Sequence, residues 1–170
     1  LKDKHFHILF VCTGNLCRSP IAEGILREML DQAGIAHVSV SSGGTWATDG
    51  RPVEENAEWV ARSQGVDLSL HRARKLNVNL IDEADLILVM EDAHVDSVRK
   101  NYPSASDRLF IIKEFGPRAP GGKVADPMGA SLEVFQTCYD ELKFELNRIF
   151  PEIQKRIAGK RSLLSFLHRK

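Results

Sequence analysis

Cysteine is scarce in this chain: Cys12, Cys17 and Cys138 are the only three among 170 residues. An odd number this small excludes the disulfide framework of a small secreted domain and points to a reducing compartment, the cytoplasm. No apolar run reaches the length of a membrane span, and the N-terminal residues lack a signal-peptide apolar core. Neither sign of charge dominates, with 23 Lys and Arg against 23 Asp and Glu. No global field therefore draws the chain to nucleic acid, and there is no firm membrane signal. Internal repeats and low-complexity segments are also missing. What is present, 43% hydrophobic and 27% charged residues, suits one soluble domain with a sizeable core.

The most informative stretch runs from Phe6 to Pro20, FHILFVCTGNLCRSP. Its apolar, β-branched start from Phe6 to Val11 predicts a buried strand. After Pro20, apolar residues recur at Ile21, Ala22, Ile25, Leu26, Met29 and Leu30, which is helical spacing. Ser19 is expected as N-cap and Pro20 as the first helical residue, where its missing N–H costs nothing. A Cys-x5-Arg loop, Cys12 to Arg18, thus joins a strand end to a helix start. Backbone N–H groups in such a place attract a multiply charged oxyanion. Gly14 and Asn15 are residue types that tolerate the left-handed backbone a cradle needs. Arg18 offers a planar fork for two phosphoryl oxygens. Cys12, in the same positive field, is placed to act as a thiolate nucleophile.

Periodicity assigns the remaining elements. The first helix is expected over Pro20–Ala33, closed by Gly34, with a strand from Val38 to Ser42 ended by Gly43-Gly44. A second helix is expected over Pro52–Gln64, with Val53, Ala57, Val60 and Ala61 inward. An irregular stretch follows at Asp67–Arg74. Asp85–Met90 is the most strand-like run and reads as a central parallel strand. A helix over Glu91–Lys100, a strand at Leu109–Ile112, a Gly- and Pro-rich loop over Gly116–Gly122 and a last helix from Ser131 to Phe150 complete the chain. The fold class is α/β: a small doubly wound three-layer sandwich around a parallel sheet of about four strands. Ligands of such sheets sit outside the carboxyl ends of the strands, where Cys12 lies.

Val11 to Pro20 resembles the signature loop of low-molecular-weight protein tyrosine phosphatases. That superfamily includes protein arginine phosphatases and thioredoxin-coupled arsenate reductases. The resemblance implies a phosphate loop from Thr13 through Gly14, Asn15, Leu16 and Cys17 to Arg18, and Cys12 as a nucleophile that forms a phosphocysteine. It implies a general acid in Asp126, with Pro127 stiffening its loop. It makes Asn15, Ser19, Ser42 and His71 a polar network that holds the loop, and gives Ser19 a hydrogen bond to the Cys12 sulfur. Trp46, Leu16 and Met128 match substrate-pocket positions, and Cys17 matches a redox partner that can close a reversible disulfide with Cys12. No metal and no cofactor is implied. The partners implied are a phosphorylated protein as substrate, and inorganic phosphate or another oxyanion as product or inhibitor; the oligomeric state is left open.

Residues 1–150 are expected to form the phosphatase domain and 151–170 a basic and apolar extension. The extension carries Lys155, Arg156, Lys160, Arg161, Arg169 and Lys170 among Leu163, Leu164, Phe166 and Leu167. It reads as a solvated basic tail or self-packed extension, with a short amphipathic helix docked on the domain, on a partner or on a membrane surface as the alternative. Leu16, an apolar residue in the loop, favours a flat phenyl ring and hence phosphotyrosine. Asp126-Pro127-Met128-Gly129, lacking a tyrosine after the proline, looks closer to arginine phosphatases, which keeps phosphoarginine as the alternative. An arsenate reductase would need a resolving cysteine pair downstream, where only Cys138 stands, in a helix and expected to be inert. A non-catalytic phosphate-binding module would need neither Cys12 nor Asp126.

Overall fold

The computed structural model describes residues 5–167, with side chains described through 162. Four strands form one parallel sheet: β1 (Phe6–Cys12), β2 (Val38–Gly44), β3 (Leu86–Val89) and β4 (Leu109–Ile111). Their order is β2-β1-β3-β4. Phe10 pairs with Ser42 on one side and with Leu88 on the other. The chain leaves β1 for one neighbour and then crosses back to the other. The strand order therefore reverses between β1 and β3, the crevice where ligands of open parallel sheets bind.

Among the described residues five α-helices cover the sheet: α1 (Arg18–Gln32), α2 (Glu55–Ser63), α3 (Val78–Glu83), α4 (Asp92–Asn101) and α5 (Leu132–Leu167). The alternation of β1 sorts its side chains between two cores. Phe6, Ile8, Phe10 and Cys12 join the core built with α1, α2 and α5. Leu9 and Val11 join the smaller core with Ile81, Val95 and Val98. The expected three layers are present.

Element boundaries differ from the sequence pattern where hydrogen bonding overrides periodicity. Helix α1 begins at Arg18, its N-cap is Cys17 with no side-chain capping bond, and Ser19 lies inside the first turn. The Ser19 hydroxyl is engaged elsewhere, so it does not cap. Gly34 (φ 63°) does end α1, with Gly34 N–H bonded to Asp31 O and Ile35 N–H to Leu30 O. Strand β2 runs through Gly43 and Gly44 because both pair with β1, and α2 starts at Glu55, three residues after Pro52. Helix α3 was not foreseen, although Asn77, whose Oδ1 accepts from Leu80 N–H at 3.0 Å, is a readable N-cap.

The largest difference lies at the C-terminus. Helix α5 does not stop near Phe150 but runs on to Leu167, 36 residues in all, with Pro151 inside it. A proline in a helix interior costs about 3 kcal/mol. Here Pro151 is on the exposed face, while Ile153 and Ile157 are buried in the main core. Burying an isoleucine fully contributes about 1.5–3 kcal/mol, so the pair offsets the proline. Lys160 then reaches Asp85 at 2.7 and 2.8 Å and the His5 carbonyl at 2.9 Å. Arg156 lies over the rings of Phe110 and Phe115, 5.0 and 4.9 Å from their centroids. Through Lys160 the chain thus packs on the domain as a continuation of α5. Arg169 and Lys170 lie outside the described residues, as do the side chains of Leu163, Leu164, Phe166 and Leu167. Among the described residues no helix is long and apolar enough to cross a membrane.

Ile153→Ala and Ile157→Ala should each lower the unfolding free energy by about 2–4 kcal/mol in denaturant titrations. Changes under about 0.5 kcal/mol would mean that this part of α5 does not belong to the core.

Candidate active site

Cys12 closes β1, and the turn to α1 folds back over it. Asn15 takes the left-handed backbone (φ 55°), whereas Gly14 does not. Gly14 is therefore not required by its φ, and a Cβ there would only touch Leu16 at 3.6 Å. The buried side chain of Asn15 fastens the loop. Its Nδ2 donates to Ser19 Oγ at 2.9 Å and to Ser42 Oγ at 2.8 Å. Its Oδ1 accepts from Arg74 N–H at 3.0 Å, and its carbonyl accepts from His71 Nε2 at 2.8 Å.

This pattern fixes the direction of the neighbouring hydroxyls. Ser42 accepts from Asn15 and donates to Glu23, a buried carboxylate that also pairs with Arg27. Ser19 accepts from Asn15, which leaves its proton for Cys12 Sγ at 2.9 Å. His71 stays neutral because burial lowers its pKa, against the opposing pull of the Asn15 carbonyl. These bonds bring Asn15, Ser19, Ser42 and His71 together, and Glu23 and Arg74 join them.

Other segments brace the loop from behind. Thr45 N–H bonds to Cys12 O and Trp46 N–H to Thr13 O, both at 2.9 Å, and Glu54 N–H bonds to Leu16 O at 3.0 Å. Gly44 permits this approach, since a Cβ there would stand 2.5 Å from Thr13 O and 3.0 Å from Asn15 N.

Arg18 is buried although charged, so its surroundings must compensate it. Nη1 donates to Glu91 Oε1 at 2.8 Å and to Val124 O at 3.1 Å. Nη2 donates to Asp126 Oδ2 at 2.9 Å and lies 3.5 Å from Thr13 Oγ1. Nε is buried and has no partner among the described residues. Asp126 is held by an Asx turn, its Oδ1 accepting from Met128 N–H at 3.2 Å. The loop carrying it is pinned to the end of β3 by Val124 N–H to Met90 O at 3.0 Å. Residues 12, 18 and 126 thus converge at the switch point.

Two members escaped the sequence reading. Glu91, the residue after Met90 at the end of β3, pairs with Arg18 and lies 3.7 Å from Lys123 Nζ. Burial opposes its ionisation, but the Arg18 hydrogen bond and charge outweigh this and hold its pKa below the ordinary value. His94 in α4 is buried, with Nε2 2.9 Å from Thr13 Oγ1. Burial, and then the Arg18 charge, push its pKa down to about 4. The position of Glu91 at a strand carboxyl end was a usable signal; His94 had none.

The three pocket positions differ in access. Trp46 is 84% exposed and Met128 45%, but Leu16 only 4%, its side chain packed in the main core. Leu16 therefore offers little surface to a substrate, contrary to what its loop position suggests. All three cysteines are free and buried. Burial, and secondarily Cys12, raise the Cys17 pKa far above the ordinary thiol value. Burial pushes Cys138 up to about 12, in keeping with an inert helix residue.

The family described as low molecular weight phosphotyrosine protein phosphatase matches residues 7–159. The chain is 34% identical over 149 residues to the protein-arginine-phosphatase of Geobacillus stearothermophilus, covering 88% of this chain and 97% of that one. It is also 34% identical over 147 residues to the probable low molecular weight protein-tyrosine-phosphatase EpsP of Ralstonia nicotianae, covering 86% and 95%. Among solved structures, the YwlE arginine phosphatase of Geobacillus stearothermophilus superposes with a TM-score of 0.81 at 33% identity, over 91% of this chain and 96% of that one. The low molecular weight protein tyrosine phosphatase of T. tengcongensis gives 0.82 at 37% identity, over 86% and 99%.

His94 binds a proton near 6.5 when free but only near 4 in the folded protein. The unfolded chain then holds more protons between these values, so stability falls as the pH drops through that window. Between pH 7 and pH 5 this group should cost about 1–2 kcal/mol. Denaturant titrations of His94→Asn should show a shallower acid loss by that amount; an unchanged slope would contradict the assignment.

Proposed function

The chain belongs to the low molecular weight phosphotyrosine protein phosphatase family, and from that premise we propose that it hydrolyses phosphotyrosine in proteins through a covalent phosphocysteine. The observation that carries this reading is the meeting of Cys12, Arg18 and Asp126. Cys12 Sγ is hydrogen-bonded to Ser19, and the buried Arg18 fork is bonded to Asp126 at 2.9 Å.

The Cys12 thiolate attacks phosphorus in line, forming the S–P bond as the P–O bond to tyrosine breaks. The electron pair leaves on the phenolic oxygen, which takes the proton of Asp126. Arg18 and the loop amides hold the equatorial oxygens as charge spreads over them. The Asp126 carboxylate then removes a proton from water as its oxygen attacks phosphorus. The S–P bond breaks, and phosphate and the thiolate are released. The partly buried Arg18–Asp126 contact gives way to the phosphoryl group, which supplies the negative charge in its place. The exposed ring of Trp46 is available as a wall for a phenyl group.

Phosphoarginine is the second reading, and one observation favours it. Leu16 is buried, while the carboxylates of Glu91 and Asp126 flank Arg18 and suit a guanidinium leaving group better than a phenyl ring. Relatives named for each activity align over most of the chain.

Cys12→Ser should abolish turnover of an aryl phosphate while retaining phosphate binding; substantial residual turnover would overturn the covalent scheme. Asp126→Ala should slow substrates with poor leaving groups by about 10²–10⁴-fold and activated aryl phosphates far less. Turnover of phosphotyrosine and phosphoarginine peptides measured in parallel, with Cys12→Ser as blank, decides the substrate. Preference for phosphotyrosine supports the first reading, and preference for phosphoarginine replaces it with the second. Arsenate reduction without hydrolysis of either peptide would overturn both.

A further inference from the structure

His94 lies outside the loop and outside the nucleophile, clamp and acid set, yet it is buried beside them. Its Nε2 is 2.9 Å from Thr13 Oγ1 and 3.8 Å from Glu91 Oε1. Its Nδ1 is buried without a partner among the described residues. The ring is neutral at pH 7, because burial and the nearby Arg18 oppose its charge. A neutral imidazole carries one proton. We assign it to Nε2, since that nitrogen faces a hydroxyl and a carboxylate, and Nδ1 faces neither. His94 then donates to Thr13. Arg18 Nη2, at 3.5 Å from the same oxygen, can only donate as well. With two donors directed at Oγ1, the hydroxyl proton of Thr13 points away from both, and Thr13 is exposed at the loop surface.

We infer that His94 is a positioning residue that holds the Thr13 hydroxyl as a hydrogen-bond donor at the mouth of the phosphate loop, beside the outer nitrogen of Arg18. Arg18 Nη2 is also the nitrogen that Asp126 contacts, so Thr13 stands on the side of the loop where the acid acts. Its hydroxyl donates to an outer phosphoryl oxygen there. Without His94 only the longer Arg18 contact bears on that oxygen, and the direction of the donor is no longer fixed. This inference rests on the phosphatase reading for its kinetic part and on oxyanion binding alone for the rest.

The test is a double-mutant cycle on Thr13→Val, His94→Leu and the pair, with His94→Asn as the conservative variant. Circular dichroism and thermal melts establish that each is folded. On an aryl phosphate, each single substitution should lower kcat/KM by about 10-fold or more. The double variant should lose no more than the worse single, and His94→Asn, which keeps an N–H donor, should recover most of the loss. Calorimetric titration with orthophosphate needs no turnover and should give the same non-additive pattern in affinity. Full activity and phosphate affinity in Thr13→Val, a surface change that does not threaten the fold, would overturn the inference. Losses that multiply in the double variant would overturn it as well. If the wild type bound phosphate with this coupling but hydrolysed no aryl phosphate, the phosphatase reading would fall and the His94–Thr13 pair would stand.

Discussion

The site depends on the carboxamide of Asn15. A left-handed residue at the bend of a seven-residue loop gains nothing by itself, since the backbone there is strained relative to an extended one. Asn15 is held by four hydrogen bonds, three of its side chain with Ser19, Ser42 and the Arg74 N–H and one of its backbone carbonyl with His71, which tie α1, β2 and the 67–74 segment to one residue. Ser19 and Ser42 are buried and His71 half-buried, so breaking their bonds leaves unsatisfied polar groups. The loop is shaped by its surroundings before any anion arrives, which is what electrostatic preorganisation demands. The same amide sets the direction of the Ser19 proton toward the Cys12 sulfur. One side chain thereby links the shape of the loop to the surroundings of the Cys12 sulfur.

Arg18 poses the opposite problem, a full positive charge taken out of water. Glu91, Asp126 and the Val124 carbonyl compensate it, and they come from the far side of the sheet. The site is therefore assembled across the switch point and not along the chain. Strand β1 delivers the sulfur and the loop; β3 delivers Glu91; the segment after β4 delivers Asp126. Parallel topology makes this possible, because all carboxyl ends emerge on one edge. Of the two carboxylates paired with the buried guanidinium, Asp126 is the more exposed and Glu91 the more enclosed.

Much of this was legible in order along the chain. The β-branched run before Cys12, the helical recurrence after Pro20 and the apolar run before Glu91 place two strands and a helix by local periodicity alone. Periodicity holds because each element must bury one face or both. The convergence of Cys12, Arg18, Asp126, Asn15, Ser19, Ser42 and His71 was also legible, through the resemblance of the loop to a known family. Boundaries were not, and for a physical reason. Ser19 reads as a cap but its hydroxyl serves sulfur, and the last helix, expected to end at Phe150, is held on through Pro151 by Ile153, Ile157 and Lys160.

The sequence by itself determined the class of fold, the strand–loop–helix turn from Cys12 to Arg18 and the residue types of the candidate site, because these follow from local pattern and from side-chain identity. Tertiary structure alone decided that Leu16 is buried rather than presented, that Glu91 neutralises Arg18, and that His94 reaches Thr13 across 81 positions. These depend on which side of a packed layer a side chain falls and on what stands opposite it. Distance along a chain carries no record of either.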